Sequence, residues 1–133
     1  MKVLILGDSQ AAGPPGQILE GLLEGLGVTV RRVGRSGQGA ADWSREHWKA
    51  YEQLLAAFRP DDVILLFGSN DPANQALKNA MERFRVSGPK VWYAGPPRYD
   101  ADPSRQERGS QIRVLAKRVF GLSHLDAWPF TGT

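Results

Sequence analysis

The sequence contains no cysteine. Disulfides, thiolate catalysis, zinc fingers and iron–sulfur clusters are thereby excluded, and the redox compartment is left unread. Long hydrophobic runs are also missing. None exceeds a strand's length, as at Val63 to Phe67, whereas crossing a bilayer takes about 20 apolar residues. Val3-Leu4-Ile5-Leu6 near the start is cut off at once by Gly7-Asp8, short of the roughly 7–15 apolar residues of a secretory leader. No membrane partner is expected, and the expected setting is cytoplasmic, one that a component of a phage particle would share. An excess of one charge is absent too. The 17 Lys and Arg face 14 Asp and Glu, a net charge of +3, although the isoelectric point is near 9.5. The basic residues are scattered, with Arg31-Arg32 and Arg35 the densest group. A nucleic-acid footprint gathers Lys and Arg on one face, so this balance reads as a solvated surface and no nucleic-acid partner is expected.

What is present is the composition of one globular domain: 133 residues, 41% apolar and 23% charged, with 15 Gly and 9 Pro. One rhythm recurs, a short apolar run followed by a helical pattern, which points to βαβ units and a parallel sheet. Lys2–Gly7 is the first run, and its unbroken Val, Leu and Ile mark a strand buried on both faces. Gly7 to Gly16 reads as loop, with Gly13-Pro14-Pro15-Gly16 opposing regular structure. Ile18, Leu19, Leu22, Leu23 and Leu26 then recur at helical spacing until Gly27 stops them. Val28–Val33 is a second strand. Asp42 or Ser44 caps a second helix with Trp48, Tyr51, Leu54, Leu55 and Phe58 on one face. Val63–Phe67 is the third strand, and a helix from about Ala73 to Arg85 points Leu77, Ala80, Met81 and Phe84 inward. Pro89–Ala94 is the fourth strand. Ser104–Phe120 is the fourth helix, with Ile112, Leu115, Ala116 and Val119 toward the core, and His124–Ala127 is a short fifth strand.

Right-handed crossovers turn this order into an α/β three-layer sandwich around a five-stranded parallel sheet. The natural strand order is flavodoxin-like, 2-1-3-4-5. Doubly wound sheets carry helices on both faces. No helix follows the fifth strand, so the sheet surface beside helix 18–26 is expected to be under-covered. Either a protein partner or a further C-terminal segment would cover it.

In such sheets ligands bind beyond the carboxyl ends of the strands. Three polar, Gly-rich loops leave those ends: Gly7-Asp8-Ser9-Gln10, Ser36-Gly37-Gln38-Gly39 and Gly68-Ser69-Asn70-Asp71. Gly7-Asp8-Ser9 resembles the first block of the SGNH (GDSL-type) hydrolases. Ser36-Gly37 resembles their oxyanion-glycine block, and Gly68-Ser69-Asn70-Asp71 their G-x-N-D block. The resemblance runs from Met1 to about Trp128. It implies a serine esterase or acyl hydrolase acting on a small acyl ester, in which Ser9 is the nucleophile. The Ser9 N–H, the Gly37 N–H and the Asn70 carboxamide would hold the developing oxyanion, each donor worth about 3–4 kcal/mol in the transition state. No metal or organic cofactor is implied. The plainer readings are a helix or turn cap for Ser9, a turn glycine for Gly37 and a turn residue before Pro72 for Asn70.

The chain departs from the family at the base. A serine hydroxyl needs a positioned base, usually a His oriented by a carboxylate, and the family takes both from a D-x-x-H block. Asp126-Ala127-Trp128-Pro129 has Pro where the His would stand. His47 reads as a surface residue within the second helix, and His124 as a strand residue at the wrong end of its strand. Asp8 and Asp71 can orient or polarise groups without replacing a base of pKa near 7. Either the sequence is part of a longer hydrolase, or it is a catalytically inactive binding or assembly module of the same fold. A nucleotide-binding module is set aside because no G-x-x-x-x-G-K-[ST] is present. A receiver-like signalling domain is set aside because Gly68-Ser69 stands where its phosphoacceptor Asp would be.

Overall fold

The computed structural model describes residues 1–127. Along the chain run β1 (Lys2–Gly7), α1 (Ser9–Ala12), α2 (Pro14–Gly25), β2 (Thr29–Gly34), α3 (Ala40–Glu46), α4 (Trp48–Phe58), β3 (Asp62–Leu66), α5 (Gln75–Arg85), β4 (Lys90–Ala94), α6 (Pro103–Phe120) and β5 (His124–Leu125). The strands form one sheet in the order β2-β1-β3-β4-β5, parallel at every pairing. This is the doubly wound topology that the alternation of strand and helix patterns predicts.

Period-two alternation divides the strand side chains between two cores. On one face Leu4, Leu6, Val63, Leu65, Val91 and Tyr93 pack against α3, α4, α5 and α6. The inward residues of α5, namely Leu77, Ala80, Met81 and Phe84, are buried there, as are Ile112 and Ala116 of α6. On the other face Val3, Ile5 and Ile64 meet Ala11 of α1 and, from α2, Leu19 and Leu23. Among the described residues, then, four helices cover one face and two cover the other. Ile18, Leu22 and Leu26, spaced a turn apart along α2, remain 64%, 64% and 81% exposed. Over β3 and β4 the thinner face is closed in part by Trp92, whose Nε1 donates to Asp62 at 2.9 Å while Lys90 lies 4.4 Å from the ring centroid.

Several elements differ from what the sequence predicts. Gly13-Pro14-Pro15-Gly16 does not oppose structure: Pro14 and Pro15 open α2, with Gly13 as its cap. Proline's fixed φ suits the first helical turn, whose N–H groups lack helical partners in any case. A short helix, α1, also occupies residues 9–12, where a loop is expected. The single helix expected across residues 42–58 is two, joined at His47. Asp42 is not the cap of α3; it lies at the third helical position and accepts the Gly39 N–H at 2.9 Å. Arg32 is no solvated cation. Its Nη1 holds the Ala11 and Ala12 carbonyls at 2.9 and 3.1 Å, and its Nε pairs with Glu20.

Candidate functional site

The register places Gly7 level with Gly34 on one side and Leu66 on the other, so the loops after β1, β2 and β3 leave the same sheet end. Two glycines let the first loop lie flat there. A Cβ on Gly7 would run into the Leu66 carbonyl, and one on Gly34 into the backbone of Ala12. Trp43 of α3 then fixes the end of β1, its Nε1 donating to the Gly7 carbonyl at 3.1 Å.

Asp8 follows and is fully buried. Its Oδ1 accepts the Gln10 N–H at 2.9 Å, which caps α1. Its Oδ2 accepts the Gly68 N–H at 2.9 Å and the Asn70 Nδ2 at 2.7 Å. One carboxylate thus joins the first and third loops. Burial raises its pKa above the ordinary 3.8, and the donated hydrogen bonds pull in the opposite direction.

Ser9 is the first residue of α1 and is exposed. Among the described residues its hydroxyl makes no hydrogen bond and its N–H has no acceptor. The capping role that a serine could take here belongs to Asp8. Asn70 is exposed beside it and uses one amide hydrogen on Asp8, leaving a second. Gly37 is exposed at φ 76° in a turn closed by Gln38 N–H on the Arg35 carbonyl at 3.0 Å. Positive φ there favours glycine.

The Gly37 loop is anchored on both sides. Arg35 donates its N–H to the Gly7 carbonyl at 3.0 Å. Buried Asp71 accepts the Ala40 and Ala41 N–H groups at 2.7 and 3.2 Å, tying the third loop to the start of α3. Its pKa is also raised, chiefly by burial and further by the charges of Asp42 and Asp8. Gly39 has to be glycine because a Cβ would occupy the space of the Asp71 carboxylate. The structure therefore links the Ser9 and Asn70 segments directly through Asp8, and the Gly37 loop through Gly7 and Asp71.

Neither histidine meets the Ser9 hydroxyl. His124 Nε2 lies 2.8 Å from the Gly95 carbonyl, and burial lowers its pKa. His124 pairs with Tyr93, Tyr93 with Leu65, and Leu65 with Leu6. Three strand spacings of about 4.8 Å put it roughly 14 Å across the sheet from β1. His47 is more than a surface residue. Half-buried between α3 and α4, it stands edge-on to Trp43 and places Nε2 at 3.1 Å from the Gln38 Oε1. Asp126 is held by Arg113 at 2.7 Å and by Lys117 at 3.3 Å. Trp128 and Pro129, at the end of the D-x-x-H comparison, lie outside the described residues.

The loop after β4 contributes a group that the three-loop reading missed. Tyr99 brings its hydroxyl to 3.3 Å from Gln10 Nε2, and a Cβ on Gly68 would touch the same hydroxyl. Burial raises its pKa, and so does the Asp8 charge. The signal was its place: a polar segment at a fourth carboxyl end of the same sheet. Tyr93 is buried beneath, its hydroxyl without a partner among the described residues and its pKa raised by burial and by Asp71 and Asp8.

No protein-family model matches the sequence, and no curated protein matches it. Solved structures do. An alpha/beta hydrolase enzyme from the metagenome of Lake Arreo, Spain, is 16% identical with a TM-score of 0.61, over 88% of this chain and 72% of that one. A lipolytic protein of the G-D-S-L family from Desulfitobacterium hafniense is 22% identical with a TM-score of 0.65, over 94% of this chain and 75% of the other. A gut microbial diltiazem-metabolizing enzyme is 15% identical with a TM-score of 0.65, covering 96% of this chain and 37% of its own. At these identities the likeness is one of fold: the chain has an SGNH-like, hydrolase-type α/β fold.

Proposed function

We propose that the chain is of serine acyl-ester hydrolase type, with Ser9 as nucleophile and the Ser9 N–H, the Gly37 N–H and the Asn70 amide as oxyanion donors. Ser9 Oγ adds to the ester carbonyl carbon, the carbonyl oxygen takes up negative charge, and collapse expels the alcohol with a proton. Water then releases the acid from the Ser9 ester. The reaction so written uses no metal or organic cofactor. The observation that carries this reading is the 2.7 Å contact of Asn70 Nδ2 with Asp8 Oδ2. It orients the Asn70 amide next to the residue that precedes Ser9 and leaves one amide hydrogen for an incoming oxygen.

The general base is not among the described residues that touch Ser9. Acylation by activated esters can proceed without it, but turnover should fall by roughly 10⁴–10⁶ relative to a complete triad. That same deficit favours a second reading, a binding or assembly module of this fold whose partner covers Ile18, Leu22 and Leu26. Hydrolysis of p-nitrophenyl acetate separates the two. The hydrolase reading expects slow release that Ser9→Ala abolishes. A Ser9→Ala variant as active as its parent overturns it.

A further inference from the structure

Next to the Asn70 loop, α6 turns a cation toward open space. Pro72, Ala73, Ser104, Glu107, Arg108 and Gln111 line a cleft of about 350 Å³. Pro72 and Ala73 directly follow Asn70-Asp71, so the cleft begins where the third loop ends. It shares Ala73 and Gln111 with a larger cleft of about 590 Å³ that adds Lys78 and Arg118. The groove thus continues between α5 and α6 with further positive charge along it.

Arg108 differs from three other cations of its helix. Arg105 pairs with Asp102, and Arg113 and Lys117 pair with Asp126. Arg108 has no ion-pair partner among the described residues, and its Nε is buried with no hydrogen bond. Glu107 lines the same cleft, yet consecutive helical residues diverge by about 100° and do not face each other. Arg108 lines the cleft, and a planar guanidinium is shaped to hold two oxygens of one anion. The cleft is also coupled to the loops of the proposed reaction. Arg105 and, more weakly, Arg108 oppose the rise that burial gives the Tyr99 pKa, and the Tyr99 hydroxyl lies 3.3 Å from the side chain of Gln10, the residue after Ser9.

We infer that Arg108 is an anion-recognising residue, and that the ester substrate carries a carboxylate or phosphate held in this cleft while its carbonyl lies at Ser9. The position of the carbonyl rests on the hydrolase reading; the capture of the anion does not, and it is measured without turnover. Monomethyl succinate, methyl phosphate and neutral dimethyl succinate are titrated at fixed ionic strength while the nitrogen resonance of Arg108 Nε is followed. One or both anions should saturate the shift, the tighter naming the group, and dimethyl succinate should bind at least tenfold more weakly. Arg108→Gln should weaken the anion at least tenfold, and Arg108→Lys, which keeps the charge and loses the fork, by less. Arg105→Gln should change it less than twofold, and far-ultraviolet spectra confirm that each variant is folded. Equal binding of the neutral diester, displacement by an equal concentration of chloride, or an unaltered affinity in Arg108→Gln overturns the inference. A Ser9→Ala variant with full esterase activity but intact anion binding would remove the hydrolase reading alone.

Discussion

Asp8 and Asn70 lie 62 positions apart in sequence and meet at 2.7 Å, the Asn70 amide donating to the buried Asp8 carboxylate. The same Oδ2 takes the Gly68 N–H, and Oδ1 takes that of Gln10. One side chain therefore orders two loops and caps a helix.

This arrangement predicts a split between stability and function. Asp8→Ala strands the Gly68 N–H in a buried position and should cost roughly 1–3 kcal/mol. Asn70→Ala removes an exposed side chain and should cost under about 1 kcal/mol, while depressing any Ser9-dependent hydrolysis by roughly 10²-fold or more. Urea unfolding of both variants, together with p-nitrophenyl acetate rates, tests the split. Equal stability losses would contradict it.

Asp8 also gives stability a pH dependence of known sign. Burial raises its folded pKa above 3.8, so the folded chain binds the proton more tightly than the unfolded chain does. Its contribution is fully present below pH 3.8 and is lost as pH rises through the folded value. Asp8→Asn cannot titrate there. The stability of the parent relative to Asp8→Asn should fall as pH climbs through that window and then level off. A flat or rising difference in urea midpoints converted to free energy would refute it.

Two glycines of one loop should respond differently to alanine. At Gly39 a Cβ meets the Asp71 carboxylate, which holds the start of α3. Gly39→Ala should destabilise by roughly 2–4 kcal/mol, within the large-effect tail of single substitutions. At Gly37 nothing lies within 4 Å of a Cβ, but φ is 76°. Gly37→Ala should cost about 1–2 kcal/mol from left-handed strain alone. Thermal unfolding of the pair orders them.

The exposed ridge of α2 should be thermodynamically silent in the isolated chain. Leu22→Lys alters a side chain that is 64% exposed and should stay within about 0.5 kcal/mol of the parent. Leu77→Ala, in the opposite core at 0% exposure, should cost roughly 2–5 kcal/mol. A Leu22→Lys cost comparable to that of Leu77→Ala would show that the ridge is covered in solution.

Most of the architecture is legible because its signals are local. The apolar run of β1 and the 3.6-residue spacing of Leu77, Ala80, Met81 and Phe84 each report their own element. What escaped depends on partners distant in sequence. Arg32 looks solvated until α1 folds above β2 and offers its carbonyls. The break at His47 follows no proline or glycine, and its Gln38 contact arises only once the loop after β2 folds back. Pro14-Pro15 looks like a breaker in sequence, yet it opens α2, because proline's meaning reverses at a helix start. At the site, the loop residues were visible as motifs, but nothing local could show that Asp8 would orient Asn70 or that Tyr99 would arrive from β4.

The most direct measurement is the mass of the protein after brief exposure to p-nitrophenyl acetate, followed by peptide mapping. With Ser9 as nucleophile and no base beside it among the described residues to speed deacylation, an acetyl group should accumulate on Ser9 and be absent from Ser9→Ala. Acetylation spread over lysines, with Ser9 unmodified, would contradict the account.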